Sequence, residues 1–497
     1  MDLILGLDVG SSVAKAVLFD AAMTEVARAS RPLSLLRGDG GRVEFDARAV
    51  HDATAGLVRD VAARAGVAPA AIIAVGLSAA MVGGVLTDAA GVPLRAGINW
   101  EDARAGPLID DLFARHPGAM DHIFASSGCV LQQGCTLPVL AHLLRHEPEA
   151  VAAAGHFLSL KDYLRLRLTG VAAADPTEAA VAPGSASTRG RSAAMLALFG
   201  LAGVAHLLPP VQQSETVAGR ITAQAAAATG LAIGTPVAVG AGDVPSSVMG
   251  AGGWGAGRAT MILGTTAMVG VTHGAPVFAP QGLGLLFTLP GHRWYRAMVN
   301  VAGTLNLDWA LASLAPDLLA GAGPHAAAGT LAATAPIGAA GVSYLPYLSE
   351  SGIIAPRVAH FARAGFAGLA PRHTRAHLLR AVFEGVAFSL ADLLDVLDAG
   401  SATIVLAGGG AQSSLWPQMI ADITGRTVEI PEGSEFGARG AALLAAVAVG
   451  RFASVASAAA CLPRVRATLA PARHTAAAYG MARAIYRTHR DSILGPA

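Results

Sequence analysis

The chain has 497 residues, enough for about three average domains or two large ones. Its 35 Lys and Arg against 34 Asp and Glu leave a formal charge of +1, and only 14% of residues are charged, which excludes a surface built to grip nucleic acid or anionic lipid. Hydrophobic residues make up 53% of the chain and mean hydropathy is +0.51. Much of this is Ala, and no stretch offers the roughly 20 consecutive apolar residues of a membrane span. Asp2 stands where a secretion signal would carry Lys or Arg, so a cytoplasmic N-terminus is expected. Cys129, Cys135 and Cys461 form an odd set without ligand spacing, the pattern of buried free thiols rather than of disulfides or a zinc site.

In chain order, residues 3–9 predict a short buried strand, 10–12 a turn of small residues and 13–19 a returning strand, together a β-hairpin. Residues 71–76 predict a strand and 137–146 a helix. The hairpin pattern recurs near the midpoint, where residues 260–263 and 267–272 flank Gly264-Thr265-Thr266. Two α/β domains related by duplication would explain the recurrence. Between them, the glycines of residues 250–257 have the composition of a flexible junction. Residues 374–397 then carry apolar side chains at helical spacing. Residues 403–407 predict a strand running into Gly408-Gly409-Gly410, followed by helices over 414–425 and 437–449.

A strand-end carboxylate beside a glycine turn with hydroxyl residues is what phosphate and magnesium chemistry uses, because the turn N–H groups form an anion nest. Asp8-Val9-Gly10-Ser11-Ser12 has that composition, although an ordinary hairpin with a solvated Asp has it as well. Two such turns from related halves could clasp one polyphosphate. Gly408-Gly409-Gly410 at a strand end suits a nucleotide. Asp243 follows Gly242 at the end of another strand, where a carboxylate can accept a proton from an alcohol or assist a helix N-terminus. Trp100, Glu101, Asp102 and Arg104 place a ring and charged groups within five residues, which suits a polyhydroxylated ligand and equally a surface turn with a local ion pair. The GxGxxG formed by Gly250, Gly252 and Gly255 lacks the acidic partner of a dinucleotide site, since the next acidic residue after Asp243 is Asp308. His373 and His377 lie one helical turn apart without a Glu between them, so a polar helix face is expected rather than a metal site.

Taken in order, these segments resemble the FGGY carbohydrate kinases, most closely the xylulokinase branch. The likeness runs through residues 6–15, 76–83, 100–104, 160–170, 175–178, 242–243, 264–266, 344–348, 373–377, 384–387 and 408–416. It implies an α/β fold of two duplicated ribonuclease H-like (actin-like ATPase) domains, residues 1–245 and 246–497, with an interdomain cleft. It also implies ATP and Mg²⁺, with Asp243 as general base and Asp8 and Asp243 at the metal. Gly10, Ser11, Ser12, Lys15, Gly264, Thr265 and Thr266 would meet the phosphates, and Gly409, Gly410 and Gln412 the nucleoside. Met81, Val82, Trp100, Asp102, Arg104 and Asp243 would contact a small-molecule sugar or polyol. A cytoplasmic enzyme is implied, and a homodimer is compatible with the resemblance.

The chain departs from the xylulokinase pattern at several points. A Gln-Met-His-Gly run is Ala80-Met81-Val82-Gly83 here, the Asn after the catalytic Asp is Val244, and Ala103 replaces a common Gln. Ser-Gly-Glu-Arg-Thr-Pro becomes Ser351-Gly352-Ile353-Ile354-Ala355-Pro356. The resemblance makes D-xylulose the lead acceptor, whereas the less polar pocket that these departures imply would suit another pentulose, a tetritol or other polyol, or a deoxy sugar. The competing readings are a catalytically silent binder of nucleotide or sugar and a dinucleotide oxidoreductase.

Overall fold

The computed structural model describes every residue except Met1, Val301, Ser351, Ser401, Pro463, Pro496 and Ala497. Leu3–Val9 is apolar toward both faces and accordingly lies inside a sheet, antiparallel to Val13–Phe19 on one side and parallel to Ile72–Ala79 on the other. Glu25–Pro32 extends the hairpin side, and Pro236–Ala238 and Val217–Arg220 extend the parallel side. The second sheet repeats this plan. Ala259–Leu263 pairs antiparallel with Ala267–His273 and parallel with Ile404–Ala407. Val428–Pro431 and Val465–Leu469 continue one side, and Arg293–Asn300 and Leu285–Leu289 the other. The duplicated α/β architecture expected from the two hairpins is thus present as two sheets of matching order.

Helices cover the sheets as their periodicity requires. Ala47–Ala65, capped by the Asp46 side chain and ended by Gly66 at φ 62°, lies on the first sheet. Arg375–Val396 lies on the second, with Leu379, Val382, Phe383, Val386 and Leu390 in its core. Among the described residues, no helix is long and apolar enough to cross a membrane. Cys129 and Cys135 are buried free thiols as expected, whereas Cys461 is exposed.

Among the described residues, two of the places where the halves meet bear on the site. Phe436–Ala448 comes late in the chain yet lies against the first sheet, where Ala438, Ala442 and Leu443 share a core with Ile4, Val17, Phe19 and Ala74. Gly6 and Gly76 are register partners in adjacent strands. A Cβ on Gly6 would sit 2.0 Å from Ala438 O, and one on Gly76 1.9 Å from Ala441 O. The same helix crosses Asp243–Gly250, with Gly440 against Ser246 and Gly250 against Phe436. Residues 250–254 are consequently buried, and the Trp254 indole donates to Pro290 O (2.8 Å). This corrects the expected flexible junction: Gly250 serves close backbone approach to the helix Phe436–Ala448, and Gly253 lies against the Thr260 side chain. The second meeting place is Leu285–Leu289 and Arg293–Asn300 against the first half. Leu286 N–H donates to Cys129 Sγ (3.4 Å), Thr288 Oγ1 to Pro176 O (2.9 Å) and the Trp294 indole to Ala186 O (2.9 Å).

Candidate active site

Both small-residue turns lie at hairpin tips. Gly10 N–H closes the first turn on Val13 O (3.0 Å), and Gly264 N–H closes the second on Thr266 O (2.9 Å). The Ser11 hydroxyl accepts from Asn99 Nδ2 (3.0 Å) and from the Trp100 indole (3.1 Å), tying the first turn to the Trp100 loop. Ser12, Thr265 and Thr266 are exposed. Gly303 N–H and Thr304 N–H reach Thr265 O (2.7 Å) and Gly264 O (2.8 Å), so the helix Leu305–Leu314 starts beside the second turn. Residues 303–304 carry no motif, and their place at this turn could not be read from the sequence.

Asp8 ends the first strand opposite Lys15 and beside Ser78, whose hydroxyl donates to Asp8 Oδ1 (3.0 Å). The start of helix Phe436–Ala448 comes down on this carboxylate, so closely that a Cβ at Gly437 would meet Asp8 Oδ2 at 2.3 Å. Burial pushes the Asp8 carboxyl above its ordinary range, while Ser78 and Lys15 oppose the shift. Asp243 opens the helix Asp243–Gly250 with Gly242 as N-cap, and its Oδ1 accepts from Val244 N–H (2.8 Å). Burial and then the nearby Asp8 carboxylate push Asp243 up to about 7. The structure therefore brings together two carboxyls from different parts of the chain, each poorly solvated and one raising the other.

Lys15 pairs with Glu435 (2.8 Å), and both line a pocket of about 270 Å³ with Gly408, Gly409, Gln412 and Gly433. Gly408 adopts φ 88°, which lets the strand Ile404–Ala407 turn sharply at the pocket wall. Gln412 is held by Arg466, which donates to its Oε1 (2.7 Å). Gly410 is buried against Leu263, where a Cβ would meet that side chain at 2.4 Å. Gly408 rather than Gly410 thus accompanies Gly409 in the wall. A larger cavity of about 430 Å³, lined by Arg48, His51, Tyr163 and Arg167 among others, contains none of these residues.

On the acceptor side, Met81 packs on Gly242, next to Asp243. Val82 has φ 58°, an unusual conformation for a β-branched residue, and its N–H donates to Glu178 Oε2 (3.1 Å). Trp100 is 45% exposed, whereas Asp102 and Arg104 are 1% and 7% exposed. Asp102 accepts from Val43 N–H (2.7 Å), Arg104 N–H (3.0 Å), Arg104 Nε (2.8 Å) and Arg104 Nη2 (2.7 Å). Arg104 Nη2 also donates to Glu44 (2.6 Å). Burial alone would raise Asp102, but the Arg104 guanidinium and the two backbone donors hold its carboxyl below the usual range. Asp102 and Arg104 are therefore spent on a buried clamp that shapes the loop, and Trp100 is the member of this motif open to a ligand.

The other departures fall in different places. Val244 is half-buried directly after Asp243. Ile353 is buried in the core of the second half, and Ser351 lies outside the described residues. His373 Nδ1 accepts from Ala370 N–H (2.9 Å) and His377 Nδ1 from Thr374 N–H (3.2 Å), so both finish a helix start. Among the described residues, no group of three or more His, Cys, Asp or Glu could hold a metal ion. Asp8 and Asp243 still fit magnesium, a hard cation that usually takes one or two carboxylates and completes its shell with water and substrate phosphates.

The family model of the N-terminal domain of the FGGY family of carbohydrate kinases matches residues 3–250, and that of the C-terminal domain matches residues 259–449. The chain is 32% identical over 471 residues to an erythritol kinase of Brucella abortus (strain 2308), covering 91% of this chain and 88% of that relative. It is 32% identical over 461 residues to a xylulose kinase of Escherichia coli (strain K12), covering 89% and 90%. Among solved structures, a ligand-bound xylulose kinase from Lactobacillus acidophilus superposes with a TM-score of 0.89 at 23% identity, covering 100% of this chain and 99% of that one.

Proposed function

Because the chain belongs to the FGGY family of carbohydrate kinases, we propose that it transfers the γ-phosphoryl group of ATP to a hydroxyl of a four- or five-carbon ketose or polyol, with D-xylulose as lead acceptor. The observation that carries this reading is the approach of Asp243 to Asp8, which is the register partner of the pocket residue Lys15 and lies under Gly437, next to the pocket residue Phe436. The functional halves are residues 1–245 and 246–497, and dependence on ATP fits a cytoplasmic enzyme.

A general base works best when its pKa lies near the operating pH, and Asp243 is pushed up to about 7 by burial and the nearby Asp8 carboxylate in the protein free of Mg²⁺. It accepts the proton of the acceptor hydroxyl as that oxygen attacks the γ-phosphorus. Backbone N–H groups of Ser11 and Ser12 on one side and Thr265 and Thr266 on the other steady the phosphate oxygens, with Gly10 and Gly264 closing the turns that present them, and Lys15 adds a positive charge. Gly408, Gly409 and Gln412 hold the nucleoside. Asp8 and Asp243 would hold Mg²⁺, which when bound neutralises charge on the phosphates. Met81 and Trp100 offer apolar faces to the acceptor carbons, while the Asp102–Arg104 clamp keeps the Trp100 loop in place.

The test is ADP release over a panel of D-xylulose, L-xylulose, erythritol, glycerol and a deoxy sugar, with and without Mg²⁺. Acceptor-stimulated release that needs Mg²⁺ is expected; its absence with every acceptor would sink the proposal. Erythritol is the second reading, favoured by the apolar Val82 side chain beside Glu178 and by the identity to an erythritol kinase. Val82→His puts a hydrogen-bonding side chain at a left-handed position that His tolerates better than Val. The variant is expected to raise the kcat/KM ratio of D-xylulose to erythritol about tenfold, the usual worth of one pocket contact. An unchanged ratio would remove Val82 from the specificity argument.

A further inference from the structure

The short helix Pro176–Val181 and its N-cap Asp175 touch both loops that flank the acceptor. Thr177 Oγ1 accepts from Gly242 N–H (2.9 Å), the residue before Asp243. Next along the chain, Glu178 Oε2 accepts from Val82 N–H (3.1 Å). Val82 lies in irregular backbone and Gly242 ends the short strand Ala241–Gly242, so each N–H depends on its side-chain partner, without which it would be an unsatisfied donor.

The anchor beneath the helix is fixed. Asp175 Oδ2 accepts from Thr177 N–H (2.9 Å), Thr177 Oγ1 (2.6 Å) and Ser214 Oγ (3.0 Å), and Oδ1 lies 3.1 Å from the fully buried Lys161 ammonium. Arg165 Nη1 donates to Val239 O (2.8 Å), which restrains the approach to Gly242 from a second direction. Buried ion networks lose heavily when one partner is removed, so this platform has a single arrangement. From the other half of the chain, Thr288 donates to Pro176 O (2.9 Å), so the helix also feels the second domain.

We propose that Thr177 and Glu178 are positioning residues for phosphoryl transfer, Thr177 setting the base Asp243 through Gly242 and Glu178 setting the acceptor loop through Val82. The inference rests on the reading of Asp243 as base. Two adjacent side chains on one anchored helix fix the spacing of the two loops, and misplacement by about 1 Å can cost on the order of 100-fold in rate.

The experiment compares Thr177→Val with Thr177→Ser, using as probe whichever of D-xylulose and erythritol releases ADP faster, or water-driven ATP hydrolysis if neither does. Thr177→Val keeps the shape and loses the acceptor for Gly242 N–H. It is expected to lower kcat 10- to 100-fold with the KM for ATP within twofold of wild type, while Thr177→Ser keeps at least half the wild-type rate. Glu178→Gln, which retains an acceptor for Val82 N–H, is expected to stay within threefold of wild type, and Glu178→Met to raise the KM for the sugar or polyol about tenfold. Wild-type kcat in Thr177→Val, or a loss spread equally over kcat and the KM for ATP without rescue by Ser, overturns the proposal. Asp243→Asn, assayed alongside, separates the two claims: full turnover there removes the base, whereas an inactive Asp243→Asn beside an unimpaired Thr177→Val removes only the positioning role.

Discussion

Asp243→Asn is expected to lower acceptor-dependent ADP release by about 10³-fold or more, within or above the range contributed by a positioned general base, while ATP still binds within a few-fold of wild type by calorimetry. The amide keeps the volume and can still accept from Val244 N–H, so the loss falls on proton transfer and on the second carboxylate near the metal. The same substitution should stabilise the ligand-free protein at neutral and alkaline pH. Burial and the Asp8 carboxylate raise the folded pKa from 3.8 to about 7, so the folded state binds this proton more tightly than the unfolded chain does. The contribution to stability is fully present below about pH 4 and is lost as pH rises through 7. Above that pH the ionised carboxylate disfavours folding by at most about 4 kcal/mol, taken at 1.36 kcal/mol per unit. In EDTA, the Tm of Asp243→Asn should exceed wild type at pH 8 and converge on it near pH 4. Equal Tm values at pH 8 would mean that the carboxyl is better solvated than its surroundings indicate.

Gly76→Ala is expected to be among the most damaging single-methyl changes in the protein, costing about 3 kcal/mol or more, the upper end of overpacking penalties. The added carbon would sit 1.9 Å from Ala441 O, and a helix carbonyl cannot rotate away as a side chain can. Relief requires moving Phe436–Ala448 as a body, which also lifts Gly437 off Asp8. Activity should therefore fall with stability. Gly480→Ala supplies the contrast: it is in the helix Ala476–Leu494 with nothing within 4 Å of a new Cβ, and the change should stabilise by about 0.5–1 kcal/mol. Urea unfolding of both variants checks the pair, and a Gly76→Ala curve within 1 kcal/mol of wild type would contradict the packing argument.

Both hairpins were legible because each consists of apolar strands around a turn of small residues, a pattern set by local chemistry. Helix limits followed from period and caps: the expected 374–397 is Arg375–Val396, and Gly425 ends Trp416–Thr424 at φ 65°. Glycine was ambiguous. Residues 250–254 have a linker's composition, but Gly250 is there to let two helices touch, and only the partner helix nearly 190 residues away reveals it. Asp102 and Arg104 were legible as a pair with chemistry, yet a local spacing of two cannot tell whether the pair faces a ligand or, as found, locks onto Glu44 and Val43. Thr177 and Gly242 lie 65 residues apart, and no sequence pattern links a hydroxyl to the one amide it will meet.

The placement of Phe436–Ala448 has a consequence for synthesis. Strand one leaves the ribosome about 430 residues before the helix that covers it, which at 5–20 residues per second is roughly 20–90 s. Throughout that interval the face carrying Ile4, Val17, Phe19 and Ala74 lacks its cover, and the nascent first half offers an apolar surface to chaperones or to other nascent chains. Fragments that stop before residue 436 should therefore collect in inclusion bodies, and the order in which the two domains mature is set by the last eighth of the chain rather than by the first.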